Sequence, residues 1–119
     1  MKDPKQIARD IVYCFSFVVI LVSCSHSNNR REVNEKSPKI HIVEIKQMAF
    51  SPAEITVRKG DKVSFVNYDM VAHDITEKSS KAWSSSPLQP KQSWTFSPTT
   101  SADYYCSIHV VMTGKIVVE

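Results

Sequence analysis

Cys106, His109 and Met112 follow one another at three-residue spacing in "YYCSIHVVMTGKIVVE", the last sixteen residues of the chain. A thiol, an imidazole and a thioether on one short loop are soft and borderline donors to a metal ion. A second imidazole, His73, stands in "NYDMVAHDI", 33 residues before Cys106. Two imidazoles, one thiolate and one thioether form the donor set of a mononuclear copper site, roughly trigonal in His₂Cys with a weak axial Met. Thiolate and thioether favour Cu(I), whereas imidazole serves both oxidation states. A geometry that neither state fully prefers keeps reorganisation small when one electron moves.

Each of these residues has a plainer reading. A lone Met is usually core packing, and a lone loop His is usually not a ligand; for the second imidazole only His26 and His41 compete with His73. Cys106 with His109 could be a thiol nucleophile and its base, but no third group is evident to orient the pair. Zinc accepts His and Cys, yet a thioether suits it poorly. Met48, Met70, Trp83 and Trp94 read as core or rim residues, with Met70, Ile108, Val110 and Val111 able to form an apolar patch around His109.

Something must hold residues this far apart in sequence around one point. From Lys39 onward the apolar pattern has period two: Ile55 and Val57, Val63 and Phe65, Trp94 and Phe96, Ile116 and Val118 alternate with polar neighbours, which is the signature of half-buried strands. Ser51-Pro52, Lys59-Gly60-Asp61, Pro87, Pro90 and Ser97-Pro98 punctuate them. No stretch carries a capped helical repeat. Short strands between turns predict a small β-sandwich or barrel, with Thr76 to Lys91 mostly irregular apart from one short edge strand, and His41 exposed or half-packed on the first strand. Cys106 closes the strand "DYYC" with its side chain on the face of Tyr104. Gly114 then gives the backbone the freedom to begin the last strand.

The first third of the chain is of another kind. Lys2, Lys5 and Arg9 precede a 12-residue, largely apolar run, Ile11 to Val22, and then small residues. That is the layout of an export signal, and the run is short for a membrane-spanning helix. "LVSC", Leu21 to Cys24, resembles the lipobox of bacterial lipoproteins, which implies cleavage before Cys24 and lipidation of its thiol. The expected organisation is a signal peptide at 1–23, a lipidated tether at 24–38 and one folded domain at 39–119. The tether, "CSHSNNRREVNEKSP", is too polar to bury anything and reads as flexible, with His26 solvated. Of three cysteines, Cys14 leaves with the leader and Cys24 carries lipid, so Cys106 has no disulfide partner. An exported lone thiol is a liability unless something such as a metal occupies it. Net charge is +3, but residues 39–119 hold nine basic against eight acidic side chains. That balance excludes a nucleic-acid footprint and argues against strong electrostatic steering toward one highly charged partner.

Together, "MAFSPAEITVRKGDKVSFVNYDMVAHDI" and "ADYYCSIHVVMTGKIVVE" resemble the cupredoxins of the plastocyanin, amicyanin and pseudoazurin group, over about Ile45 to Glu119. The matched features are a F-x-P-x-x-I-x-V-x-x-G-D-x-V-x-F-x-N lead-in, a His after it, and a Y-x-C-x-x-H-x-x-M-x-G ending. The short ligand loop is most similar to those of amicyanin and pseudoazurin. The resemblance implies an all-β fold, an antiparallel Greek-key β-sandwich. It implies one type 1 copper ion at one end of that sandwich, bound by His73, Cys106, His109 and Met112.

The chain also departs from the family. Asp74 stands where an Asn usually follows the first His, and the resemblance implies that Asp74 accepts a bond from Ser107 and so helps fix the thiolate. A buried carboxylate there would tend to lower the copper potential. Ile108 and Val110 replace prolines that often flank the second His, which implies a less rigid loop. Lys91 stands where a turn glycine is frequent and reads as a neutral variant.

The function implied is a monomeric, membrane-anchored electron carrier that makes and breaks no bonds and is therefore not an enzyme. It would face the periplasm or extracytoplasmic space of a bacterial envelope and dock transiently with redox partner proteins. The alternative is a copper-binding or copper-delivery lipoprotein using the same ligands. A carrier keeps its copper through redox cycles, whereas a delivery protein hands Cu(I) to an acceptor.

Overall fold

The computed structural model describes residues 36–119. The leader, Cys24 and the tether up to residue 35 lie outside the described residues, and residues 36–38 are exposed and without regular structure. Eight strands follow: β1 (Ile40–Lys46), β2 (Ala49–Ser51), β3 (Glu54–Val57), β4 (Lys62–Asn67), β5 (Thr76–Glu77), β6 (Ser93–Phe96), β7 (Ala102–Tyr105) and β8 (Thr113–Val118). No helix occurs among the described residues. The edge strand expected between Thr76 and Lys91 is β5, a two-residue strand paired with β7.

The strands form two four-stranded sheets, ordered β2-β1-β4-β6 and β3-β8-β7-β5. They are mixed, not purely antiparallel as expected: β1 pairs with β4, and β3 with β8, in parallel. The cause lies in the path of the chain. After the β1–β2 hairpin it visits the other sheet as β3 and returns beside β1 as β4. Parallel neighbours always need such an excursion, because a tight turn can join only antiparallel strands.

Period-two alternation places Val43, Ile45, Val63 and Phe65 of one sheet, and Val57, Tyr104 and Ile116 of the other, in one fully or nearly fully buried cluster with Phe50 and Ile75. Tyr104 is its centre, meeting Phe50 edge-on at 4.9 Å and Phe65 at 5.3 Å between ring centroids. Such edge-to-face contacts add to area burial because ring edges and faces carry opposite partial charge. Trp83, Trp94 and Phe96 pack half-buried against this cluster.

Two backbone positions differ from expectation. Gly114 lies inside β8 with no positive φ, so its role is not conformational freedom. Lys91, read as a neutral variant, has φ 68°, a left-handed conformation that glycine adopts without steric cost. Its N–H donates to Asn67 O at 2.7 Å, which anchors the turn before β6.

Where β1 and β4 begin side by side, buried Asp61 gathers four donors: Lys39 N at 2.9 Å, His41 Nε2 at 3.0 Å, Arg58 N at 3.2 Å and Arg58 Nη2 at 3.1 Å. The Lys39 N–H and then the His41 ring hold this carboxyl well below the usual carboxylate range, outweighing the opposing effect of burial, with Arg58 adding to them. A carboxyl depressed only in the folded state stabilises fully above its ordinary value of about 4, and loses that contribution as pH falls toward its folded value. The urea midpoint should therefore drop as pH is lowered from about 5 toward 2, and drop less steeply in Asp61→Asn. Equal slopes for the two proteins would remove Asp61 from the acid response.

Candidate metal centre

The site is assembled from the end of β4, the end of β7 and the loop that follows each. Asn67, the last residue of β4, is fully buried and braces the first loop. Its Nδ2 donates to Val71 O at 2.8 Å and Leu88 O at 2.9 Å, and its Oδ1 accepts from Asp69 N at 2.9 Å. A fully satisfied buried amide fixes a loop where no strand ladder can. His73 follows, held by a two-way backbone bridge with Leu88: Leu88 N to His73 O at 2.7 Å, and His73 N to Leu88 O at 3.2 Å.

The His73 ring is fully buried, and its Nε2 donates to Asp69 Oδ2 at 2.9 Å. An ionised carboxylate can only accept, so Nε2 carries the proton of this bond, and in the neutral ring Nδ1 is then the nitrogen with a free lone pair. Burial pushes the Asp69 carboxyl up, but the N–H groups of Met48 and Gln47 and the His73 ring outweigh it and hold it below the ordinary range.

On the other side, Cys106 follows β7 directly and is fully buried, with no disulfide partner among the described residues. The loop after it closes on itself: Cys106 N donates to Met112 O at 3.1 Å and Met112 N to His109 O at 3.0 Å. These two bonds turn the chain back without the prolines that Ile108 and Val110 replace. They bury Met112 and leave His109 half-buried.

Across the two loops the structure brings His73, Cys106 and His109 together, their donor atoms all within 4.8 Å of one another. His73 Nδ1 lies 3.8 Å from Cys106 Sγ and 3.1 Å from His109 Nδ1, and Sγ lies 3.9 Å from His109 Nδ1. Buried lone pairs converging from a sulfur and two imidazoles repel one another unless a proton or a cation lies among them. With Nδ1 of His73 unprotonated, the donor set fits a thiophilic ion of borderline softness such as copper. Met112 closes the same loop through its backbone bonds to Cys106 and His109 and is buried, which makes its thioether the candidate fourth donor.

Asp74 ties the loops to each other. Its N–H points at Cys106 Sγ from 3.4 Å, its Oδ1 accepts from Ser107 N at 2.6 Å, and its Oδ2 accepts from the Ser107 hydroxyl. An N–H directed at the sulfur favours the thiolate and restrains its position. Apolar side chains are exposed on both ligand-bearing loops: beside His109 in the chain, Val111 is 83% exposed and Val110 67%, with Ile108 also exposed, and in the loop that carries His73, Met70 is 88% exposed and Val71 is exposed.

Asp69 was not singled out by the sequence, and Asn67 entered only as the last residue of the matched lead-in, with no role assigned to it. A carboxylate four residues before His73 was the available signal, but loop residues at that spacing have no fixed geometry, unlike helical ones.

Residues 39–119 match the family described as copper binding proteins, plastocyanin/azurin family. The chain is 30% identical over 84 residues to amicyanin of Paracoccus versutus and 31% identical over 84 residues to amicyanin of Paracoccus denitrificans. Each alignment covers 66% of this chain and 64% of the relative, so the chain spans somewhat under two thirds of the curated relatives it matches. Among solved structures, a Cu(I) form of an amicyanin with methionine replaced by alanine superposes with a TM-score of 0.62 at 26% identity, covering 67% of this chain and 82% of that one. A reduced amicyanin with tyrosine in place of tryptophan also gives 0.62 at 26% identity, covering 72% and 88%.

Proposed function

The chain belongs to the plastocyanin/azurin family of copper-binding proteins, and from that premise we propose that it is a membrane-anchored carrier of single electrons. In this reading His73, Cys106, His109 and Met112 hold one type 1 copper ion. The observation that carries it is the convergence of His73 Nδ1, Cys106 Sγ and His109 Nδ1, from two loops 33 residues apart, within 4.8 Å. When bound, the copper supplies a one-electron Cu(II)/Cu(I) couple.

The protein's own contribution is to keep the donors where both oxidation states tolerate them. Buried His73 and Cys106 are locked by Asp69, Asp74 and the backbone bridges, so they cannot rearrange when charge changes. Half-buried His109 brings its ring nearest to solvent and is the route by which an electron enters and leaves. The exposed Met70, Val71, Ile108, Val110 and Val111 give a partner a small, uncharged surface to rest on. Contacts of that size and chemistry are weak and brief, as turnover requires. Because no bond is made or broken, the role is carriage and not catalysis.

The decisive experiment adds Cu(II) to the full chain in detergent. An intense visible thiolate-to-copper band that survives repeated reduction and reoxidation supports the carrier. Rapid loss of Cu(I) to a competing chelator after the first reduction would overturn it in favour of copper delivery. Replacing the thioether tests the axial ligand: Met112→Leu should raise the reduction potential and keep the colour, since losing even a weak donor disfavours Cu(II). An unchanged potential would take Met112 out of the coordination set.

The anchor is proposed from Cys24 at the end of the leader pattern, with the domain facing the extracytoplasmic side of a bacterial envelope. Cys24→Ala should shift the protein from the membrane fraction to the soluble one, because a single cysteine-borne lipid group is the link. Continued membrane association would point to an uncleaved leader.

A further inference from the structure

The turn between β1 and β2 is a tight one, since Lys46 pairs with Ala49 and only Gln47 and Met48 lie between. Both have positive φ, 54° and 59°. Two-residue turns of this hand favour Asn-Gly, because other side chains crowd their own backbone there. Neither Gln nor Met is suited to it. What the conformation provides is direction: successive residues of this kind aim their N–H groups to one side and form an anion-binding concavity.

That concavity holds Asp69. Gln47 N donates to Oδ1 at 2.7 Å, Met48 N to Oδ2 at 3.0 Å, and the same Oδ2 takes His73 Nε2–H at 2.9 Å. Asp69 N is in turn bound to Asn67 Oδ1 at 2.9 Å. Among the described residues no Lys or Arg makes an ion pair with Asp69, and the titratable side chain it contacts is His73. The carboxylate is thus fixed at both ends, and its charge is directed at the imidazole.

We propose that Asp69 is a positioning residue of the metal centre, and that the Gln47–Met48 turn is the cradle that aims it. The turn thereby decides which nitrogen of His73 is free for metal. A carboxylate on the distal nitrogen fixes the tautomer and ring orientation and makes the ligand nitrogen more basic. It also places a negative charge behind the ligand, which favours Cu(II) over Cu(I). The inference rests on the reading of His73 as a ligand, but its first consequence concerns the tautomer alone and needs no metal.

The test begins with histidine-labelled, metal-free full chain in detergent micelles, observed by nitrogen NMR. His73 should be a single tautomer protonated at Nε2, with slow exchange of that proton. Asp69→Ala should release it to mixed tautomers with fast exchange. Asp69→Asn, which preserves shape if truncation loosens the turn, should do the same to a smaller degree, and Asp69→Glu should restore part of the tautomer bias. Met48→Gly keeps the positive φ and the N–H and should leave the tautomer unchanged, because the cradle is made by backbone.

With copper added, Asp69→Ala should bind Cu(II) about 10–100-fold more weakly, and Asp69→Asn should show a raised reduction potential with the colour kept. An unchanged His73 tautomer together with an unchanged potential in both variants would overturn the proposal. Absence of a visible band in the wild-type chain would instead overturn the copper reading, leaving the tautomer result to stand or fall separately.

Discussion

Cys106→Ser will fold as a sandwich and stay colourless when Cu(II) is added. The intense visible absorption expected of the wild-type chain arises from charge transfer between a thiolate and copper, and Cys106 is the one thiol in the described domain. Serine offers a hard hydroxyl that is protonated at neutral pH, so the band should be lost entirely, not shifted. The fold should survive because the replacement is nearly isosteric. The N–H of Asp74, 3.4 Å from the sulfur, can donate to the new oxygen, which limits the destabilisation to about 1 kcal/mol. Absorption after Cu(II) addition, with a urea curve for the same sample, separates loss of a ligand from loss of structure. A persisting band would remove Cys106 from the site.

Gly114→Ala should produce the largest loss of stability among single-methyl changes near the site. An ideal Cβ on Gly114 would lie 2.3 Å from Tyr104 Cζ, 2.4 Å from its Oη and 2.6 Å from Cε2. Those separations are far inside van der Waals contact, so something must move. Tyr104 cannot move easily, being fully buried and wedged between Phe50 and Phe65. Gly114 is its direct cross-strand partner in β7 and β8, so the backbones would have to part. Overpacking of this kind costs about 1–3 kcal/mol.

The disturbance should also reach the metal, because Tyr104 precedes Cys106 by two residues on the same strand face. A shifted absorption maximum in Gly114→Ala would report it. The double variant Gly114→Ala with Tyr104→Leu should cost less than the two single changes together, since removing the ring removes the clash. A Gly114→Ala midpoint equal to wild type would show that the ring has room to swing aside.

Gly114 also marks where reading along the chain reaches its limit. Its place before a run of apolar residues suggested a flexible start to a strand, and its type was informative. The reason was not, because the reason is a ring ten residues away in sequence that pairing brings within van der Waals distance. Lys91 is a similar case: its identity hid a left-handed backbone that Asn67 O stabilises by accepting its N–H.

The donor loop was legible because it is local. Cys106, His109 and Met112 sit within seven residues, and any chain that turns there brings them close. The alternation of Val63 with Phe65, or Ile116 with Val118, likewise carries its own period and predicts strands without knowledge of their partners. His73 was within reach only as the remaining plausible imidazole, completed by its resemblance to a family pattern.

By itself, then, the sequence determined which side chains are chemically able to bind copper and that short strands would have to hold them. Both follow from residue type and near-neighbour spacing. The tertiary structure alone decided that β1 and β4, and β3 and β8, run parallel. It alone decided that Tyr104 needs a glycine opposite, and that Asp69, cradled by the β1–β2 turn, meets the far nitrogen of His73. Each depends on which distant segments become neighbours. That is settled by burying one shared core, and no local pattern records it.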